Sequence, residues 1–279
     1  MVDPHAMRYA WLRRLVALWL LPLAVATCAA WAGAEDATPE SVLEAAFANR
    51  YEVDTIYEME LVARDRSGRE QRRSIHTVSK RIDGRSHSVG RVVAPANLRG
   101  LTVLMIEAAG GGRDSFVYLP SLRRARRISG AQRVDSFLGS DLTYEDFERQ
   151  RVADFVLQLL PAEQVAGERC LLIRALPRDE RGYGAVVFAV AESDRAILEY
   201  RYFARGAEAP YRVIETPRSA MLRENGHLLP TRFAVRHARG TSTELVIHAL
   251  AVDPEIDDRV FSLRTLEQEQ PLPGAAARH

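Results

Sequence analysis

From Thr55 to Leu250 the chain repeats one pattern, short runs of alternating apolar and polar residues closed by turn-forming dipeptides, and few folds accommodate it. In Ile56-Tyr57-Glu58-Met59-Glu60-Leu61 the period is two, which puts Tyr57, Met59 and Leu61 on one side of a strand. Arg66-Ser67-Gly68-Arg69 then reads as a hairpin turn into a second strand over residues 74–81. Further strands are expected over residues 87–93, 101–107, 115–119, 155–159, 169–176, 185–191, 196–203, 211–217, 231–236 and 243–250. Asp83-Gly84, Gly110-Gly111-Gly112, Gly167, Arg205-Gly206, Asn225-Gly226 and Arg239-Gly240 supply turns between them. Consecutive strands joined this way specify a mainly β chain, an antiparallel meander curled into a barrel or half-barrel. A small closed barrel fills with side chains, whereas a wider or open one leaves a cavity for a hydrophobic ligand; the inward alternation is the same in both.

Helical signals are few. Thr38 can cap a helix, Pro39 suits its first turn, and Val42, Leu43, Ala46 and Phe47 share a face. A helical turn is expected over residues 144–149. Both amphipathic pieces are suited to covering an open sheet face.

The N-terminus reads as an export signal. Arg8, Arg13 and Arg14 precede an apolar run over residues 15–26, and Ala32-Gly33-Ala34 offers small residues for cleavage before Glu35. The run falls short of the roughly 20 residues that span a bilayer, which favours a cleaved signal peptide over residues 1–34. Val25-Ala26-Thr27-Cys28 offers a lipoprotein alternative anchored at Cys28, although Thr27 fits poorly where a smaller residue is expected. Residues 35–270 then form one domain, and the small, proline-containing tail over 271–279 is expected to be disordered.

Without residues 1–34, which hold three of the 38 basic and one of the 37 acidic side chains, 35 bases face 36 acids. That balance favours neither nucleic acid nor an anionic membrane surface as a partner. Cys28 leaves with the signal, so Cys170, within Cys170-Leu171-Leu172-Ile173, reads as a buried, inert thiol.

Catalytic signatures are absent from the sequence. Gly84-Arg85-Ser86-His87-Ser88 lacks the final glycine of a nucleophile elbow, and there is no H-E-x-x-H. His76, His87, His227, His237 and His248 are dispersed and read as structural. Gly110-Gly111-Gly112 is not followed by Gly-Lys-Ser/Thr, so it reads as a turn and not a phosphate cradle. The expectation is a chain that is not an enzyme, with no catalytic residue, metal or cofactor.

Residues 113–148 concentrate the unusual chemistry. Phe116-Val117-Tyr118 runs through Leu119-Pro120 into Arg123-Arg124-Ala125-Arg126-Arg127, and Gly139-Ser140-Asp141 and Tyr144-Glu145-Asp146-Phe147 follow. In a strand Arg124 and Arg126 face one way and Arg123 and Arg127 the other. One reading is a set of ion pairs, for example Arg127 with Asp141, pinning the loop against the sheet, so that loss of Arg127 destabilises the fold. The other is a cationic rim of Arg124, Arg126 and Arg127 that meets lipid phosphates or an acidic partner. Asp141, Glu145, Asp146 and Glu148 read as ion-pair partners and not as an acid–base couple.

The run Phe116-Val117-Tyr118-Leu119-Pro120-Ser121-Leu122-Arg123-Arg124-Ala125-Arg126-Arg127-Ile128-Ser129, followed by Ser136-Phe137-Leu138-Gly139-Ser140-Asp141-Leu142-Thr143-Tyr144-Glu145-Asp146, resembles the outer-membrane lipoprotein-sorting protein family. These are LolA-like periplasmic proteins, many of them associated with RND/MMPL-type exporters. Pro95-Ala96-Asn97-Leu98-Arg99-Gly100-Leu101-Thr102-Val103-Leu104 is similar to the segment that precedes that core, and Asp257-Asp258-Arg259-Val260-Phe261 to the closing one. The likeness covers about Val53 to Leu266, and the order of the YLP, RRI, GSD and YED motifs is its specific part.

The resemblance implies an unclosed, strongly curved antiparallel sheet, a half-barrel covered by a few helices, around a cavity that accepts acyl chains. It implies a periplasmic carrier or chaperone that binds the acyl chains of lipoproteins or lipids for transfer toward the outer membrane. The alternative is an accessory subunit docking on an RND/MMPL-type exporter without carrying lipid. The residues expected to line the cavity are Tyr57, Met59, Leu61, Val103, Met105, Phe116, Tyr118, Phe137, Tyr144 and Phe147, with Arg124, Arg126, Arg127 and Asp141 as polar rim or structural ion pairs. Leu138 and Leu142 stand where many relatives carry a methionine and an aromatic residue, a change that reshapes an apolar site.

Overall fold

The computed structural model describes residues 38–274; the expected signal peptide, and residues 275–279 of the expected tail, lie outside the described residues. Thr38 accepts from the Ser41 amide and starts α1 (Pro39–Tyr51), whose Val42, Leu43, Ala46 and Phe47 are buried. Fifteen strands follow. The first six are β1 (Thr55–Arg64), β2 (Glu70–Ile82), β3 (Arg85–Ala94), β4 (Thr102–Glu107), β5 (Arg113–Leu119) and β6 (Arg124–Arg127). The rest are β7 (Phe155–Val165), β8 (Glu168–Pro177), β9 (Ala185–Ala191), β10 (Ile197–Phe203), β11 (Arg212–Glu215), β12 (Met221–Glu224), β13 (His227–Pro230), β14 (Arg232–His237) and β15 (Thr241–Val252). A short helix, α2 (Leu263–Glu267), ends the order. No helix among the described residues is long and apolar enough to cross a membrane.

Thirteen strands make one antiparallel sheet in the order β6-β5-β4-β3-β2-β1-β15-β14-β11-β10-β9-β8-β7. Its edges are β6 and β7, so it does not close on itself, and of the two architectures compatible with the alternation the open one is found. The topology follows from two meanders. The chain starts mid-sheet at β1, steps outward to one edge at β6, crosses through a strap over residues 128–154, and returns inward from β7 to β15. β15 closes the path against β1, pairing Tyr57 with Leu250, Met59 with Ile247 and Leu61 with Leu245.

Alternation sorts the side chains onto two faces. Met59, Leu61, Ile75, Val103 and Met105 from one half join Phe188, Tyr200, Ile214, Val235 and Leu245 from the other in a core capped by α1 and Phe137 of the strap. On the opposite face Ile56, Val78, Val89, Leu104 and Tyr118 pack against Ile256, Phe261 and Leu266. That second cover was not expected from the sequence. It is fixed by Lys80, which donates to the Ile256 carbonyl (2.6 Å) and pairs with Asp258 (2.7 Å), and by Tyr118 Oη donating to Glu269 (2.8 Å). Residues 271–274, part of the tail expected to be disordered, join it: Leu272 packs on this cluster and the Pro273 carbonyl lies 2.7 Å from His76 Nε2. Farther along, Cys170, Leu172, Val187 and Ala189 pack with Leu228 of the β12–β13 hairpin. All seven residues of β9 are buried, as suits a strand covered on both faces.

Family-like motifs meet in this frame. Gly100 has φ +86°, and a Cβ there would sit 3.1 Å from Pro120 Cγ, so the segment before β4 passes close beneath the turn after β5. A side chain there would strain the backbone and press tightly on the Pro120 ring.

Candidate functional site

The strap positions the site, and its acids hold it. Asp146 accepts both Arg212 Nη groups (2.7 and 2.8 Å), as well as the Thr143 amide (2.7 Å) and hydroxyl (2.9 Å). Asp141 accepts from Arg239 (2.7 Å), Thr243 (3.0 Å) and Thr241. Arg133 and Arg113 converge on Glu148, and Arg113 and Arg181 on Asp154 (2.8 and 3.0 Å). Arg212 also lies over the Tyr202 ring, 4.1 Å from its centroid. The ion-pair reading of Asp141 therefore has a different cation from the one expected. Arg127 pairs with Asp114, on the neighbouring strand β5, and its side chain is 67% exposed, whereas Arg239 reaches Asp141 from the β14–β15 turn. Glu145 is an exception among these acids: Oε1 accepts the Gly182 amide (3.2 Å), Oε2 has no partner, and burial, with Asp146 nearby, raises its pKa.

Between this strap, α1 and the sheet lie two adjoining cavities of about 140 and 160 Å³. They share Arg50, Thr55, Tyr57, Met59 and Phe147. The first continues over Tyr200, Tyr202, Ile214, Phe233, Leu245 and Ile247. The second continues over Ile75, Val103, Met105 and Phe137 toward a polar end with Ser79, Ser86, Arg81 and Arg149. Aromatic contacts stiffen the walls: Phe137 meets Phe147 at a tilt (4.5 Å between centroids) and Tyr144 edge-on (5.4 Å), and Phe47 meets Phe188 edge-on (5.5 Å). Burial pushes the Tyr51 phenol up to about 12 and raises Tyr57 and Tyr202 too, so these hydroxyls stay neutral. A mainly apolar cavity adjoining one with a polar end suits an amphiphile.

The expected lining residues divide between the two faces. Tyr57, Met59, Val103, Met105, Phe137 and Phe147 stand on the cavity walls. Leu61 is fully buried in the same core and Tyr144 packs behind Phe137, neither on the walls. Phe116 and Tyr118 point the other way, into the cluster under Phe261 and Leu266. Period two accounts for this: Phe116 pairs with Leu104, whose neighbours Val103 and Met105 face the cavity, so Phe116 cannot. Arg124 and Arg126 lie on edge strand β6, exposed and outside both cavities. The main residue missed in the sequence is Arg50. It falls at i+3 and i+4 from Phe47 and Ala46, so it continues the apolar stripe of α1 as a charge, and that was the available signal. Gln150, Tyr200 and Phe233 carry no comparable mark.

A family model described as "Uncharacterized protein" matches residues 84–268. No curated protein matches the chain. Solved structures do. A domain from Vibrio parahaemolyticus described as an outer membrane lipoprotein-sorting protein aligns with a TM-score of 0.75 at 20% identity, over 81% of this chain and 97% of its own. A DUF1329 family protein from Desulfovibrio piger aligns at 0.73 and 24% identity, over 81% and 98%. A LolA superfamily protein from Nitrosomonas europaea aligns at 0.65 and 20%, over 81% and 98%. At such identities the likeness is one of fold.

Proposed function

Since the chain belongs to the family whose model spans residues 84–268, and has the LolA-superfamily fold of lipoprotein-sorting proteins, we propose that it is a non-catalytic carrier of acyl chains. The observation that carries this is a pair of adjoining cavities on one sheet face, one mainly apolar and the other running to a polar end, walled by Tyr57, Met59 and Phe147 and roofed by α1 and the strap. About ten buried methylenes contribute roughly 8 kcal/mol before the cost of association, which suits reversible holding. The strap is tied to the sheet by main-chain bonds at its two ends, Ile128 to Ser115 and Arg178 to Asp154, and between them by side-chain contacts; loading would require the roof to open. The carrier would work in the periplasm, shielding the lipid part of a lipoprotein, or a lipid, on its way to the outer membrane. Mass spectrometry of the protein after gentle purification tests this: co-purified lipid at near-stoichiometric amount is expected, and a lipid-free protein that also fails to take up a fluorescent fatty acid refutes it.

The exposed edge strand β6 supports a second reading. Arg124 and Arg126 have no acidic partner among the described residues, which suits docking on an acidic surface of an RND/MMPL-type exporter. Stable co-purification with such a membrane protein, without lipid, would favour that reading over the carrier.

A further inference from the structure

Arg50 is a cation inside the site with no acidic hydrogen-bond or ion-pair partner among the described residues. It projects from the last turn of α1 and lines both cavities. Its one hydrogen bond goes from Nη1 to Tyr200 Oη (2.6 Å). The guanidinium otherwise lies among the rings of Tyr51, Phe233 and Tyr200, at 5.1, 5.2 and 5.6 Å from their centroids. Among the described residues it has no carboxylate partner. The arginines that hold the strap differ: Arg113, Arg181 and Arg212 each reach an aspartate or glutamate within 3.2 Å. Arg73 also lacks an acid, but it donates to Gln71 (2.6 Å) beneath Gly139 and lines neither cavity.

A guanidinium offers five donors, and one neutral hydroxyl uses only one of them. The helix C-terminus and the ring faces ease its desolvation without occupying the remaining donors. Among the described residues the carboxylate on the walls of these two cavities is Asp146, which is neutralised by bidentate contact with Arg212, so Arg50 keeps its positive charge unanswered there. Gln150, buried beside it with Oε1 unpartnered, adds a second polar group without charge.

We propose that this site selects an anionic amphiphile, an acyl chain ending in a carboxylate or phosphate that Arg50 clasps while the chain lies against Ile214, Leu245 and Ile247. This rests on the carrier reading and narrows it, because a neutral lipid would leave the Arg50 donors unanswered in an apolar cavity. Calorimetric titration with dodecanoate, dodecyl phosphate and dodecanol tests it. The wild-type protein is expected to bind the anions about 10- to 100-fold more tightly than the alcohol, the range for a charge-assisted hydrogen bond. Arg50→Gln should bring the anions down to the affinity of the alcohol in the same variant, and Arg50→Lys, which keeps the charge, should keep most of the preference. Tighter binding of dodecanoate assigns the site to fatty-acid carboxylates, and of dodecyl phosphate to phosphate headgroups. Equal binding of all three probes, or a preference that survives Arg50→Gln, overturns the proposal and leaves the carrier intact. Binding of none of them overturns both.

Discussion

Replacing Asp146 with alanine tests whether buried ion pairs hold the strap over the sheet. The carboxylate and the Arg212 guanidinium are 6% and 2% exposed, and two hydrogen bonds join them. Removing Asp146 strands a buried cation and also frees the Thr143 amide and hydroxyl. Losing one partner of such a pair costs about 3–5 kcal/mol. At roughly 2–4 °C per kcal/mol for a domain of this size, the melting temperature should fall by about 6–20 °C. Urea denaturation at neutral pH, alongside thermal melting, measures the loss. Replacing both partners with apolar residues, as Asp146→Leu with Arg212→Met, should recover most of it, since no buried charge is then left alone. Arg127→Ala, which removes an exposed ion pair, should change stability by no more than about 0.5 kcal/mol. An Asp146→Ala protein within about 1 kcal/mol of wild type would refute the reasoning, because the pair would then not be bearing on the strap at all.

Three further outcomes follow from the same structure. Burial raises the Glu145 pKa, so the folded protein holds a proton that the unfolded chain releases as pH rises past the ordinary glutamate value; stability is lost upward through that window. Glu145→Gln should therefore stabilise the protein at neutral pH and do little at pH values below the ordinary glutamate pKa, as read by urea midpoints at both. Gly184→Ala should cost roughly 1–3 kcal/mol, because its Cβ would fall 2.6 Å from the Arg205 Cα and the backbone there has no room to yield. Cys170 is fully buried and burial raises its thiol pKa, so a disulfide reagent should leave it unmodified in the native protein and label it once the chain is unfolded.

Much of the fold was legible in the sequence because period two is a local signal. The strands around Tyr57, Val103 and Phe188 lie near where alternation put them, and α1 begins where Thr38 and Pro39 said it would. Alternation alone could not give the sheet's openness, since it is the same in a closed barrel; the family resemblance implied it, and the free edges β6 and β7 bear it out. The pairing of the acids was also hidden. Nearness in sequence suggested Arg127 for Asp141, but Arg239 is brought there by the pairing of β14 with β15, nearly a hundred residues away. Phe116 and Tyr118 were expected on the cavity wall, but the β4–β5 register, with Leu104 opposite Phe116, turns them to the opposite face. That face needed a cover, and the cover is the C-terminal segment around Phe261, whose family-like motif has a packing role here.

The claim that an acyl chain lies in the cavity can be measured with a single reporter. Trp11, Trp19 and Trp31 are the three tryptophans of the chain, so the protein from residue 35 onward has none. A Phe147→Trp variant places one indole on the wall shared by both cavities, and Val156→Trp places another at an exposed position on edge strand β7. Titrated with brominated dodecanoate, a contact quencher, Phe147→Trp should lose fluorescence saturably and Val156→Trp should not. Quenching that is the same at the two positions, or absent at Phe147→Trp, would contradict a chain bound within the cavity.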